Sequence, residues 1–350
     1  MLSQRVVTLR VVAFTGLSRI RRYASMIGLR PIPFSSYQWN DLIERHAIQP
    51  IPWGSFQRES EYSGLFASLQ KLHAFESATQ AVQTVDSASV DAGSMSVQVE
   101  GASLFRSRPH NLLAGDIGGY PRRAFGSGRR TGERAVFLRA DSYFHFLLEE
   151  LPILLRSLQE VRGLPVLLTG KPSSWHTQLL ATLGIKALNL RHGTAQTDLA
   201  FIPRPLSSGF PRLSEISLVQ RSFSGAKSLS HAKTLKVYVS RRRSSRSLQG
   251  EVELERALES TGWIILHSQE ENITVQQDLF SSAHYICGPH GAGLANLIWC
   301  QPGTTVLELT RRNYHHVCFA YLAEQLHLNY QSFNVDGMSA RAIAEEVGKT

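Results

Sequence analysis

The chain has 350 residues and a mass of 39.0 kDa, more than one average domain, and its 43% hydrophobic and 19% charged content excludes a disordered protein. Its three cysteines, Cys287, Cys300 and Cys318, have neither the numbers of a disulfide framework nor the spacing of a zinc site, and they favour a reducing compartment. No apolar run approaches the ~20 residues that span a bilayer, and the formal charge of +9 is uneven, since Arg5, Arg10, Arg19, Arg21, Arg22 and Arg30 all precede Asp41, the first acidic residue.

That basic, acid-free segment, residues 1–33, can be read as a membrane-surface amphipath, a transit peptide or a solvated tail. Residues 34 to about 130 carry Ser/Gly-rich stretches at Ser87–Ser96 and Gly126–Gly132 and weak alternation at Met95–Val99, which predicts irregular strands and loops. From Arg134 the pattern sharpens. Ala135–Arg139 reads as a strand, and Asp141 or Ser142 can cap the helix after it. Phe144, Leu147, Leu148, Leu151, Leu154, Leu155 and Leu158 recur at helical spacing and should bury one face, with a break where Pro152 removes a donor. Strands follow at Pro165–Leu168, Ala187–Leu190 and Leu199–Pro203, the first two separated by a helix. Pro205–Pro211 reads as a crossing between domains, so the expected division is 1–210 and 211–350.

The second half alternates more cleanly. A helix at Leu213–Ala226 precedes strands at Leu235–Ser240, Trp263–His267, His284–Gly288, Thr304–Leu309 and Asn329–Phe333, with helices at Glu251–Ser260, Thr274–Ala283, Ala292–Cys300 and Val317–Leu326 between them. This is the outline of a doubly wound α/β domain with a parallel sheet.

In such sheets ligands lie beyond the carboxyl ends of the strands, and three of these ends carry polar residues. The first runs into Arg241, Arg242, Arg243 and Arg246, whose planar forks match phosphate geometry; alone, such a run is more often a solvated loop. The second is Gly288-Pro-His290-Gly291-Ala292-Gly293, where small residues leave room for backbone N–H groups and the start of the next helix to face an anion such as a nucleotide diphosphate. The third is Glu308, a carboxylate able to accept two ribose hydroxyls or to serve as an ordinary edge residue. In the first half His145 lies four residues from Glu149 on one helical face, and a histidine so oriented can take a proton near neutral pH. His315-His316 lacks metal-ligand spacing and the acidic residues do not cluster, so no metal site is expected. No aromatics interleave with the arginines and no reading helix accompanies them, so no nucleic acid is expected either.

Tyr143-Phe-His145-Phe-Leu-Leu-Glu149-Glu-Leu-Pro152, Tyr238-Val-Ser-Arg241-Arg, Gln276, Gly288-Pro-His290-Gly-Ala-Gly293-Leu-Ala-Asn296 and Val306-Leu-Glu308 together resemble glycosyltransferase family 61. The resemblance covers about Ala135 to Phe333. It implies a GT-B architecture of two Rossmann-like domains facing across a cleft, the N-terminal one on the acceptor side and the C-terminal one holding a UDP- or GDP-sugar. It implies an inverting hexosyl-, N-acetylhexosaminyl- or pentosyltransferase without an essential metal or other cofactor. Arg241, Arg243, Gly288 and the His290, Gly291, Ala292, Gly293 turn, with Asn296, would hold the diphosphate side of the donor. Glu308 would hold its ribose, and His145 with Glu149 would activate the acceptor. The chain resembles the compact bacterial members, which implies a cytoplasmic enzyme of surface or capsular polysaccharide assembly acting on a glycan or lipid-linked acceptor, with the basic N-terminus offering peripheral contact at the inner membrane face. A polyanion-binding protein and a catalytically inert sugar-nucleotide binder are the alternatives.

Overall fold

In the computed structural model, the residues described are 134–140, 142–170, 172–190, 194–201, 210–223, 234–311 and 317–349, together with the backbone of short strands farther upstream. The basic segment 1–33, Asp141, most of Pro205–Pro211 and His315-His316 lie outside them. Those upstream strands are β1 (Phe56–Arg58), β2 (Gln83–Asp91), β3 (Ser96–Val99), β4 (Ala102–Leu104) and β5 (Arg129–Arg130). After them come β6 (Ala135–Ala140), the helical segment α1 (Tyr143–Arg156), β7 (Val166–Gly170), α2 (Ser174–Thr182), β8 (Ala187–Leu190), β9 (Thr194–Phe201) and α3 (Leu213–Phe223). The chain continues with β10 (Leu235–Val239), α4 (Glu251–Glu259), β11 (Ile264–Leu266), α5 (Ile273–Ser281), β12 (Ala283–Pro289), a 3₁₀ helix (Ala292–Trp299), β13 (Thr305–Thr310), α6 (Cys318–Gln325), β14 (Asn329–Asn334) and α7 (Ala340–Gly348).

The contacts divide the chain into two units. The first includes residues 79–141 and 157–208 and holds an eight-stranded sheet of order β4-β3-β2-β9-β6-β7-β8, with β5 added on β9. Here β9, β6, β7 and β8 run parallel, while β2, β3 and β4 extend the sheet antiparallel. Of the Ser-rich stretch, where irregular strands and loops are expected, residues 87–91 belong to β2, which pairs along β9, and the register of that pairing shifts between Val85 and Ala88. Every residue of β6 is buried, as a strand inside such a sheet requires.

The second unit comprises residues 47–78, Ser142–Arg156 and 209–350, so α1 groups with it although the strands on both sides of α1 in sequence belong to the first. Its sheet runs β11-β10-β12-β13-β14, all parallel, with β1 antiparallel on the far edge. Numbered along the chain, the five parallel strands stand in the order 2-1-3-4-5, which places the reversal of winding between β10 and β12. On one face, Tyr238, Cys287 and Leu307 pack with Leu254 and Leu258 of α4 and Ile343 of α7. Alternation turns Val239, Ile286 and Val306 to the other face, and α5 touches both β10 and β12.

The helix α1 departs from expectation in two ways. It is buried on nearly every side rather than along one stripe: Phe146, Leu147, Glu150, Leu151 and Ile153 are 0–1% exposed. The irregularity expected at Pro152 takes the form of a π turn at Phe146–Glu150, where the Leu151 N–H bonds the Phe146 carbonyl. A widened turn lets the chain stay helical beside a residue that donates no hydrogen bond. Among the described residues no helix is long and apolar enough to cross a membrane.

Candidate active site at the β10/β12 switch

The arginine run does not act as a unit. Arg242 Nε lies 3.0 Å from Glu255 Oε2, and Arg243, half-exposed, is ion-paired with Glu270. Only Arg241 turns along the sheet edge, its Nη1 donating to the His290 carbonyl and its Nε to Ser244 Oγ at 3.2 Å. Two buried carboxylates of α4 hold the loop in this course. Glu251 accepts from the Arg241 backbone N–H at 2.6 Å, from Leu248 N–H at 2.9 Å and from Tyr238 Oη at 3.2 Å, and Glu255 accepts from Ser240 Oγ at 2.5 Å. Burial, and after it the nearby charge of Arg246, lowers Arg241 to about 10 despite the opposing pull of Glu251, with Arg311 adding to the lowering; it remains a cation at neutral pH.

Across the switch, His290 follows directly on β12. Its N–H continues the sheet to the Leu309 carbonyl at 3.0 Å, so this amide is committed to the ladder rather than turned to a ligand. Its Nδ1 pairs with Glu308 Oε1, and the other oxygen of Glu308 accepts from Tyr330 Oη. Glu308 is fully buried with both oxygens engaged, so a ribose there would have to displace His290 or Tyr330.

Close packing explains the glycines. A Cβ on Gly288 would stand 2.8 Å from the Val239 carbonyl oxygen, whereas one on Gly291 would stand 2.7 Å from Arg241 Nη1 and 2.8 Å from its Cδ and Cζ. Gly293 likewise lies against Val239 Cγ1. The obstacle at Gly288 is backbone and cannot yield, but at Gly291 it is the end of a flexible side chain. Gly288→Ala should therefore lower the melting temperature, while Gly291→Ala should leave melting nearly unchanged and weaken nucleoside diphosphate binding about tenfold by moving Arg241; paired thermal melts and titration calorimetry check both.

Ala292, half-buried, opens the 3₁₀ helix. Asn296 within it is a structural hub: Oδ1 accepts from Tyr143 Oη at 2.7 Å and Trp299 Nε1 at 3.1 Å, while Nδ2 donates to Gln276 Oε1 at 2.7 Å and the Gly293 carbonyl at 3.2 Å. These bonds use the whole amide and tie α1, α5 and the His290 turn together. On α1, His145 Nδ1 lies 2.7 Å from Glu149 Oε1, a carboxylate 4% exposed inside the π turn. Phe319 joins the two histidine–carboxylate pairs: its ring is 5.0 Å from that of His290 and 5.4 Å from that of Phe144, the neighbour of His145. Beside it, burial and then Glu308 hold the Cys318 thiol well above its usual range, so it is uncharged.

Arg241, His290, Gly291 and Glu308 thus meet at one sheet edge, Asn296 braces it from behind, and Arg243 points to a separate surface pair. Among the described residues no group of three or more His, Cys, Asp or Glu side chains is placed to hold a metal ion. Residues 143–307 match the family model described as Glycosyltransferase 61. They form a glycosyltransferase family 61 domain. No curated protein matches the chain. The family 61 domain makes this chain a glycosyltransferase, and its matched stretch contains His145, Glu149, Arg241, His290 and Asn296 and stops one residue before Glu308. The sequence does not single out Arg311, Phe319 or Tyr330, all of which follow the matched stretch. Tyr330 reaches Glu308 only through the β13/β14 register, in which Glu308 faces Ser332 and Tyr330 lies two residues back on the same face. No local motif encodes that pairing.

Proposed function

We propose that this glycosyltransferase inverts the anomeric centre of a UDP- or GDP-sugar without a metal, in a GT-B arrangement, and transfers the sugar to a glycan or lipid-linked acceptor of bacterial surface polysaccharide assembly. The observation that carries the reading is the meeting of Arg241 with the Glu308-held His290 at the winding reversal of the parallel sheet. As the glycosidic bond breaks, the departing nucleoside diphosphate gains negative charge. A half-buried guanidinium and an imidazole fixed beside it stabilise that charge more in the transition state than in the ground state, the part a metal cation plays elsewhere. With Nδ1 committed to Glu308, proton exchange by His290 runs through Nε2. His145, fixed in the same way by Glu149, takes the proton of the acceptor hydroxyl. Asn296 supports the site and touches no substrate, and Glu308 acts through His290 instead of binding the ribose. The pairing of Arg242 and Arg243 with carboxylates weakens the polyanion-binding alternative, which needs an open arginine stripe.

The test is a thermal-shift panel of nucleotides and nucleotide sugars in the presence of EDTA, followed by transfer assays with the anomer of the product assigned by NMR. A uridine or guanosine diphosphate should raise the melting temperature with the logarithm of its saturation, and the product should have the opposite anomeric configuration to the donor. Retention of configuration, or activity appearing only on addition of Mn²⁺ or Mg²⁺, would refute the mechanism.

A further inference from the structure

Of the five arginines around the loop between β10 and α4, four differ sharply in their partners. Arg242 and Arg243 are neutralised by Glu255 and Glu270. Arg241 and Arg311 have no carboxylate partner among the described residues. Arg311 follows directly on Thr310, the last residue of β13, so it stands on the same carboxyl edge as Arg241 and His290 and one strand beyond the β10/β12 switch. Its one hydrogen bond among the described residues is from Nη2 to the Ser247 carbonyl at 2.9 Å, inside the loop that Arg241 begins. The Arg241 fork likewise spends Nε and Nη1 on Ser244 and His290, and its Nη2 has no partner among the described residues.

Like charges held around one loop repel: after burial, the main cause, Arg246 and to a lesser degree Arg311 act against the proton of Arg241. The one carboxylate near enough to favour the charge, Glu251, is buried and already accepts from two backbone amides and Tyr238. An anion presenting oxygens to both forks would remove the conflict and fill the guanidinium donors that the protein leaves open. A single phosphate meets one fork, whereas two linked phosphates can meet both.

We infer that Arg311 is a second donor-binding arginine, which together with Arg241 clamps the two phosphoryl groups of a pyrophosphate across the ends of β10 and β13. The inference deepens the reading of this edge as the donor site and rests on it. It explains why a residue outside every motif carries a charge with no carboxylate partner among the described residues, and it makes the site selective for diphosphates over monophosphates.

Titration calorimetry with inorganic pyrophosphate, UDP, GDP, UMP and GMP tests it on the full chain, comparing wild type with Arg311→Ala and Arg311→Lys. Wild type should bind pyrophosphate and the diphosphates more tightly than the monophosphates. Arg311→Ala should weaken the diphosphates and pyrophosphate about 10- to 100-fold, the loss of one charge-assisted fork, and the monophosphates much less. Arg311→Lys should recover part of the loss. The salt dependence separates charge from loop support: losing a phosphate contact flattens the fall of affinity with salt, whereas merely loosening the Ser247 tether leaves that slope as in wild type. Equal diphosphate affinity in wild type and Arg311→Ala, or an unchanged slope, overturns the clamp while the donor site at Arg241 and His290 stands. Arg311-dependent binding of pyrophosphate without any response to nucleotide sugars would uphold the clamp and remove the donor reading.

Discussion

Glu308→Gln should reduce glycosyl transfer about 10²- to 10⁴-fold, the range associated with disabling an acid–base group, while the protein stays folded. The substitution keeps the volume of a side chain that is fully buried, so packing is conserved. What changes is the centre of a chain of hydrogen bonds running from Tyr330 through Glu308 to His290. A carboxylate accepts from both neighbours; an amide must turn its NH₂ toward one of them, and that neighbour must then accept instead of donate, Tyr330 by turning its hydroxyl or His290 by changing tautomer. His290 loses both the partner that fixes its tautomer and the charge that supports its imidazolium. The loss should fall on kcat, with donor KM little altered, because Glu308 touches the reaction only through His290. Steady-state kinetics beside a thermal melt decide it: a folded variant with wild-type kcat would show that the pair plays no part in turnover.

Arg241→Ala is expected to be nearly as severe, but at a different step. Removing one preorganised donor aimed at developing charge costs about 10²- to 10³-fold in rate, and the same side chain also holds the ground-state diphosphate, so kcat should fall and donor KM should rise. Arg241→Lys should restore little. An ammonium gathers its three donors on one atom and cannot span the separate positions of Nε at Ser244 and Nη1 at His290 while also reaching a phosphate. The guanidinium, lowered to about 10, loses its proton only as the pH rises through that value, so this group should contribute no pH dependence to donor binding across the neutral range. A variant that binds a nucleoside diphosphate as wild type does would remove Arg241 from the donor site.

The legible parts of this protein are those written in local periodicity. Strands β10, β12 and β13 are short apolar runs bounded by Gly, Pro or charge, and the sequence reading places each within about two residues. It omits α7 although the signals are present: Ser339 caps it through the Ala342 N–H, and Ile343 and Val347 recur four residues apart on its buried side. It also takes the arginine run as one feature. The distinction between Arg241, which turns along the sheet edge, and Arg242 and Arg243, which do not, comes from Glu251, Glu255 and Glu270, and these are brought to the loop by folding rather than by spacing. Of the site, His290 and Arg241 are visible as a type of residue at a type of strand end. Tyr330 and Arg311 are not, because their relation to the site depends on which strand lies beside which.

The placement of α1 bears on how this enzyme can be dissected. A fragment beginning near Gly209 would carry every parallel strand of the second unit yet lack Tyr143, His145 and Glu149, leaving the Asn296 amide short of a donor and stripping apolar cover from around Phe319. This unit is stitched from distant stretches of one polypeptide, so truncation at the obvious seam would be expected to give a sticky, incomplete piece, and on the ribosome α1 must wait for strands made long after it before its partners exist.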